Sequence, residues 1–175
     1  MSHPVGPVLA ALDAVYARLP ALRCRGLCQT SCYSRIDAST AEQQRVLERG
    51  VDLNATANGR PCPALTRTAL GAARCSVHDV RPMICRIWGI AAVMPCPHGC
   101  RPDGGLVDDA TALSWVLDAL DAGGGHAGTH TALVRQLVAA SAADPTASRL
   151  LGRYLRGDRS PSTTTALQQR IRDLA

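Results

Sequence analysis

The chain has 175 residues, is 46% hydrophobic and carries a formal net charge of +5. That length suits one domain with an appended lobe and excludes a large multi-domain enzyme. No apolar run reaches the ~18–20 residues that a membrane helix needs, and Met1-Ser2-His3-Pro4 opens no basic stretch followed by an apolar core. A cytoplasmic protein without a membrane span is therefore expected.

In chain order, Pro7 suits a first helical turn, and Val8, Leu9, Leu12, Val15, Tyr16 and Leu19 share one face, predicting a helix over 7–19. The first cysteine group follows, over 24–32. Ser39 and Glu42 form a capping box for a helix over 40–49 that stops at Gly50. Residues 51–61, with Asn54, Asn58, Gly59 and Pro61, read as a loop. Segments 62–65 and 73–78 read as a short hairpin around Gly71, and Pro82 starts a short helix ending near Gly89. Cys96-Pro97-His98-Gly99-Cys100 reads as a tight loop. Beyond it, helices are predicted over 109–122 (capped by Asp108 or Asp109), from Thr129 or His130 to 143, from Asp144-Pro145 to Gly157, and over 164–173. Gly123-Gly124-Gly125 reads as a linker. The fold class is mainly α with little β: an N-terminal helix (1–23), a Cys-rich module (24–101) and a helical C-terminal lobe (102–175).

Aromatic residues are scarce, with no Phe, two Trp and three Tyr. Large rings supply much of a usual core's buried area, so this interior must be built from Ala, Leu and Val. The chain also carries eight cysteines: Cys24, Cys28, Cys32, Cys62, Cys75, Cys85, Cys96 and Cys100. Disulfides would need an oxidising compartment, and inert buried thiols would not be confined to under half the chain. Ligation of a metal or cluster accounts best for them.

Charge agrees. The chain has no Lys. Residues 24–101 carry ten Arg against five acids, while 102–175 carry seven Arg against eight Asp. Arg23, Arg25, Arg74, Arg86 and Arg101 each adjoin a Cys, so the basicity can balance thiolate charge rather than signal nucleic-acid binding.

Spacing narrows the chemistry without assigning ligands. Cys24, Cys28 and Cys32 recur every four residues, which stacks sulfurs on a helix face or wraps a centre in a loop. No Cys-x-x-Cys pair exists, which disfavours standard zinc knuckles, and the bacterial ferredoxin run is absent. Thiolate-rich sites select zinc, copper(I) or iron–sulfur. Neighbouring Arg with Ile84, Ile87 and Trp88 describes a partly dry, compensated pocket, which suits a cluster better than an exposed zinc.

The run Cys62-Pro63-x-Leu65, then Arg74-Cys75-Ser76-Val77-His78-x-x-Arg81-Pro82-x-x-Cys85-Arg86-x-Trp88-Gly89, then Cys96-Pro97-His98-Gly99-Cys100 resembles the YkgJ-type cysteine-cluster family, described as a zinc- or iron-chelating domain. The likeness covers about residues 24–101, and Cys24–Cys32 corresponds to that family's N-terminal cysteine group. This chain has wider gaps there and lacks the family's doubled Cys. A similar group in flagellin lysine methylases is associated with iron–sulfur. The resemblance implies chelation, not one reaction.

The expectation is a metal-binding protein whose eight cysteines hold an iron–sulfur cluster (4Fe-4S), with zinc as the alternative. Arg81 and Arg86 would donate to sulfur, Trp88 would shield the centre, and His78 and His98 would stand beside it. Its role would be structural or electron-transferring. Two alternatives remain: an enzyme using the centre for redox or protein-modification chemistry, and a zinc-stabilised module docking a protein partner.

Overall fold

The computed structural model describes residues 6–27, 29–33, 36, 38–53, 61–69, 71–125, 135, 138–139, 143–155, 158 and 160–174. It is mainly helical, with one short antiparallel hairpin. Most of the predicted helix from Thr129 or His130 to 143, most of the 51–61 loop, and Gly157 lie outside the described residues.

Helix α1 spans Gly6–Tyr16 and buries Leu12 and Val15. It stops short of the predicted Leu19. The Arg18 and Leu19 N–H groups reach back only three residues, to the carbonyls of Val15 and Tyr16, because Pro20 disfavours helical backbone at the residue before it. Helix α2 spans Thr40–Leu47 with the predicted capping box. Strands β1 (Leu65–Arg67) and β2 (Ala73–Cys75) pair Leu65 with Cys75 and Arg67 with Ala73, around a turn that needs Gly71 at φ +79°. Helix α3, Met83–Arg86, is one turn long.

Helix α4, Asp109–Ala122, is the spine. Asp108 caps it, accepting from the Thr111 N–H. It buries Leu113, Trp115, Val116, Leu117 and Leu120 on more than one face, as a helix with neighbours all round must. Helices α1 and α3 pack on it, as does α5 (Pro145–Leu155), which in turn carries α6 (Pro161–Leu174). The last helix begins three residues earlier than predicted. Ser160 accepts from the Thr163 N–H, Asp158 accepts from Ser160 N–H and the Thr163 hydroxyl, and Pro161 suits a first helical position. Arg170 pairs with Asp144 and ties α6 to the start of α5.

Two apolar clusters result. The larger draws Leu12, Met83, Ile87, Met94, Leu117 and Leu151 from α1, the α3 region, α4 and α5. The smaller holds Ala38, Val46, Leu53, Cys62, Ala64 and Val77. The expected Ala, Leu and Val are joined by Met and Ile, whose flexible or branched chains fill space that rings would otherwise take.

The glycine triplet is a docking point, which corrects its reading as a linker. The Ala41 N–H donates to the Gly123 carbonyl at 2.9 Å, so the end of α4 satisfies an unpaired donor at the start of α2. A Cβ on Gly123 would lie 2.0 Å from Ser39 Oγ and 2.4 Å from Ser39 Cβ. Gly123→Ala should therefore destabilise the fold by about 2–3 kcal/mol through overpacking, lowering the melting temperature by roughly 5–10 °C. Thermal denaturation followed by circular dichroism reads this, and an unchanged midpoint would refute the contact.

Candidate metal centre

Among the described residues, the segments that carry cysteine are all short. Cys24 lies in irregular chain after α1, its N–H turned back onto the Leu22 carbonyl, and Cys32 in a 3₁₀ turn, Thr30–Tyr33. Cys62 precedes the hairpin and Cys75 ends β2. Cys85 rides on α3, and Cys96 opens a turn closed by the Gly99 N–H on its carbonyl. Cys24 and Cys32, eight residues apart, thus do not stand on one helix face.

Folding brings Cys24, Cys32, Cys62, Cys75, Cys85 and Cys96 to the wall of one cavity of ≈ 50 Å³, several times the ~10–15 Å³ one water requires. Leu22, Ile36, Leu53, Val77 and Trp88 supply apolar wall. His78 and Arg81 supply the polar part. Cys24, Cys62, Cys75, Cys85 and Cys100 are free thiols. Among the described residues no group of three or more His, Cys, Asp or Glu stands in an arrangement that could hold a metal ion. Cys28 lies outside the described residues.

The other expected residues divide. Trp88 lines the cavity and also packs on the larger core. Cys100 and His98 do not line it. The exposed His98 ring sits 3.2 Å from the Leu27 carbonyl, joining two cysteine-bearing segments. Arg86 is directed elsewhere: its guanidinium donates to the carbonyls of Arg81 and Asp79 and stacks 4.3 Å from the Tyr16 ring centroid. Arg23, Arg25, Arg74 and Arg101 are exposed. Adjacency to Cys in the chain therefore does not deliver charge to the sulfurs. Among the described residues, the arginine at the cavity is Arg81.

Local electrostatics oppose each other. Burial pushes the thiols of Cys62, Cys75 and Cys85 up, and at Cys85 the neighbouring Cys62, Cys75 and Cys32 push the same way. Backbone N–H groups of Ala64 and Leu65 at Cys62, and of Val77 at Cys75, pull down, as does Arg81 at Cys75 and Cys85. Gly26 and His98 N–H donate to the sulfurs of Cys24 and Cys96 at 3.3 and 3.4 Å. Four of these cysteines thus share one local geometry, a sulfur facing the N–H two residues on. His78 is held below its ordinary value by burial and by the charges of Arg81 and Arg86, so its ring is neutral. His78 Nε2 and Arg81 Nε are buried without a hydrogen-bond partner. Native interiors rarely leave such atoms unpaired, and both residues belong to the cavity.

Position is controlled by a residue the sequence assigned only to a cap. Glu42 is buried, and besides Ser39 it accepts from the Tyr16 hydroxyl and from the Met83 N–H, both at 2.7 Å. Pro82 gives α3 no side-chain cap, so Glu42 reaches across from α2 and caps it. That aims Cys85 at the cavity. Ser39-x-x-Glu42 was the available signal; the second half of its work depends on chain 41 residues away.

No family model, curated protein or solved structure matches the chain.

Glu42→Gln, which replaces one carboxylate oxygen by a donor facing donors, should cost about 3 kcal/mol. It should also raise the alkylation rate of Cys85 in the native protein. A rate and midpoint equal to wild type would show that Glu42 does not position α3.

Proposed function

We propose that this chain is a metal-binding protein whose cysteine-lined cavity holds an iron–sulfur cluster, [4Fe-4S] in preference to zinc, in a role that is structural first and electron-transferring second. The observation that carries the reading is the convergence of six cysteines, from segments 72 residues apart at the extremes, on one cavity that also contains two unpartnered polar atoms. The residues fit such a group: soft sulfur donors, a neutral imidazole, one guanidinium and an apolar wall. The likeness to the YkgJ-type family over residues 24–101 points the same way.

Within this reading Cys24, Cys32, Cys62, Cys75, Cys85 and Cys96 are the available ligands. Arg81 and His78, whose Nε and Nε2 are buried without a partner, would donate to bound sulfur, and Trp88 with Leu22 would keep water out. A cluster supplies covalent cross-links among the short elements and can pass single electrons. The structural role follows from the cavity's construction. Three-residue strands and a one-turn helix bury too little to stand alone, and metal binding adds directly to folding free energy. The free thiols suit a reducing compartment, and we place the protein in the cytoplasm.

Metal analysis and an absorption spectrum after anaerobic purification test this. Iron with acid-labile sulfide and a broad band near ~400 nm is expected. Removing the metal should lower the melting temperature by roughly 10 °C or more. A colourless protein with stoichiometric zinc would overturn the cluster, and a metal-free chain whose stability ignores chelators would overturn the metal reading altogether.

A further inference from the structure

We propose that Cys32 and Cys62 are a redox pair: in the chain without its centre, hydrogen peroxide joins them as a disulfide that thiol reductants reopen. The pairing stands on backbone geometry and needs no metal. That a bound centre blocks it rests on the metal reading above.

The Cys62 N–H donates to the Cys32 carbonyl at 2.6 Å. With standard covalent lengths and ordinary hydrogen-bond angles, such a bond places the two Cα atoms about 4.5–6 Å apart. A disulfide needs Cα atoms ~4.4–6.8 Å apart and side chains that do not point away from each other. Here both residues line the one cavity, and Cys32 packs against the smaller apolar cluster to which Cys62 belongs. The two side chains therefore enter shared space. Among the described residues, no other two cysteines are joined by a direct backbone hydrogen bond.

The two sulfurs differ in access. Cys62 is 5% exposed, whereas Cys32 is only partly buried. A cavity of ≈ 50 Å³ admits a molecule of peroxide's size but no peptide disulfide. Peroxide therefore meets Cys32 first. One peroxide oxygen goes to the Cys32 sulfur, making a sulfenic acid, and the other leaves as water. The Cys62 sulfur then attacks the Cys32 sulfur: the S–S bond forms, the S–O bond breaks, and the hydroxyl leaves as water with the Cys62 proton. Two thiols are oxidised and one peroxide is reduced to two waters. The disulfide closes the chain around residues 33–61, the stretch that carries α2 and Glu42. Glu42 caps α3 through the Met83 N–H. The cross-link thus secures the helix that presents Cys85 when no centre joins these segments, because it limits the freedom of the opened chain.

The full chain is stripped of metal with a chelator, treated anaerobically with one equivalent of hydrogen peroxide, alkylated, digested without reduction and mapped by mass spectrometry. A Cys32–Cys62 cross-link should dominate, with two thiols lost per chain and recovered by dithiothreitol. Cys28 and Cys32 share one tryptic peptide, so fragmentation separates them. The oxidised chain should melt roughly 5 °C or more above the reduced one. Cys62→Ala should leave Cys32 as a sulfenic acid that dimedone traps, while Cys75→Ala should keep the cross-link. A disulfide mapped chiefly to another pair, or peroxide that leaves every thiol titratable, would overturn the pairing; the wild-type map decides this even where a variant fails to fold. The metal-loaded chain should cross-link at least about tenfold more slowly. An equal rate with the metal retained would overturn protection by the centre and leave the pairing standing. A chain purified without metal would overturn the metal reading alone, and the same map then reads the pairing directly.

Discussion

The carboxylate of Glu42 lies buried where α1, α2 and α3 meet, and it accepts from the Ser39 N–H and hydroxyl, the Tyr16 hydroxyl and the Met83 N–H. A buried carboxylate is tolerable only when its lone pairs are met by donors. Here the donors come from the three places that must be held in register: the cap of α2, the end of α1 and the beginning of α3. Tyr16 carries the arrangement outward, because Arg86 and Arg45 lie over its ring and Arg45 also pairs with Asp13. Burial beside Glu42 drives the Tyr16 hydroxyl far above its ordinary value, so it remains a donor. One acid therefore fixes the helix that presents Cys85.

The remaining architecture divides into a stiff half and a half that needs support. Around α4 the larger apolar cluster is continuous from α1 to α6, and α2 is docked against the end of α4 through Gly123. The cysteine-bearing half consists of turns, a hairpin of three-residue strands and a single helical turn. Its apolar cluster is small and includes Cys62 itself. Such a region gains order from anything that joins its segments, and the proposed centre acts where hydrophobic burial is thinnest.

Local signals were legible wherever the physics is local. The Ser39–Glu42 box, the Asp108 cap, the glycine-dependent turn at Gly71 and the start of α3 after Pro82 each depend on residues within a few positions, and each is present. Boundaries set by competing local effects were less legible, as at Pro20 and at Ser160-Pro161. Charge was misread for a different reason. Arg74 and Arg101 adjoin cysteines in the chain but are exposed, and Arg86 turns to carbonyls and a ring, whereas Arg81 lies at the cavity. Side-chain direction, not sequence separation, decides which cation a sulfur meets.

By itself the sequence determined the helical class, the hairpin, the caps and the confinement of sulfur to residues 24–100, because periodicity, capping and composition are properties of neighbouring residues. Tertiary structure alone decided that six cysteines share a cavity while Cys100 and His98 do not line it, that Glu42 caps a second helix, and that a glycine triplet is a contact. These depend on packing between segments far apart in the chain. Many pairings of such short elements satisfy the same local rules, and only close packing of the whole selects among them.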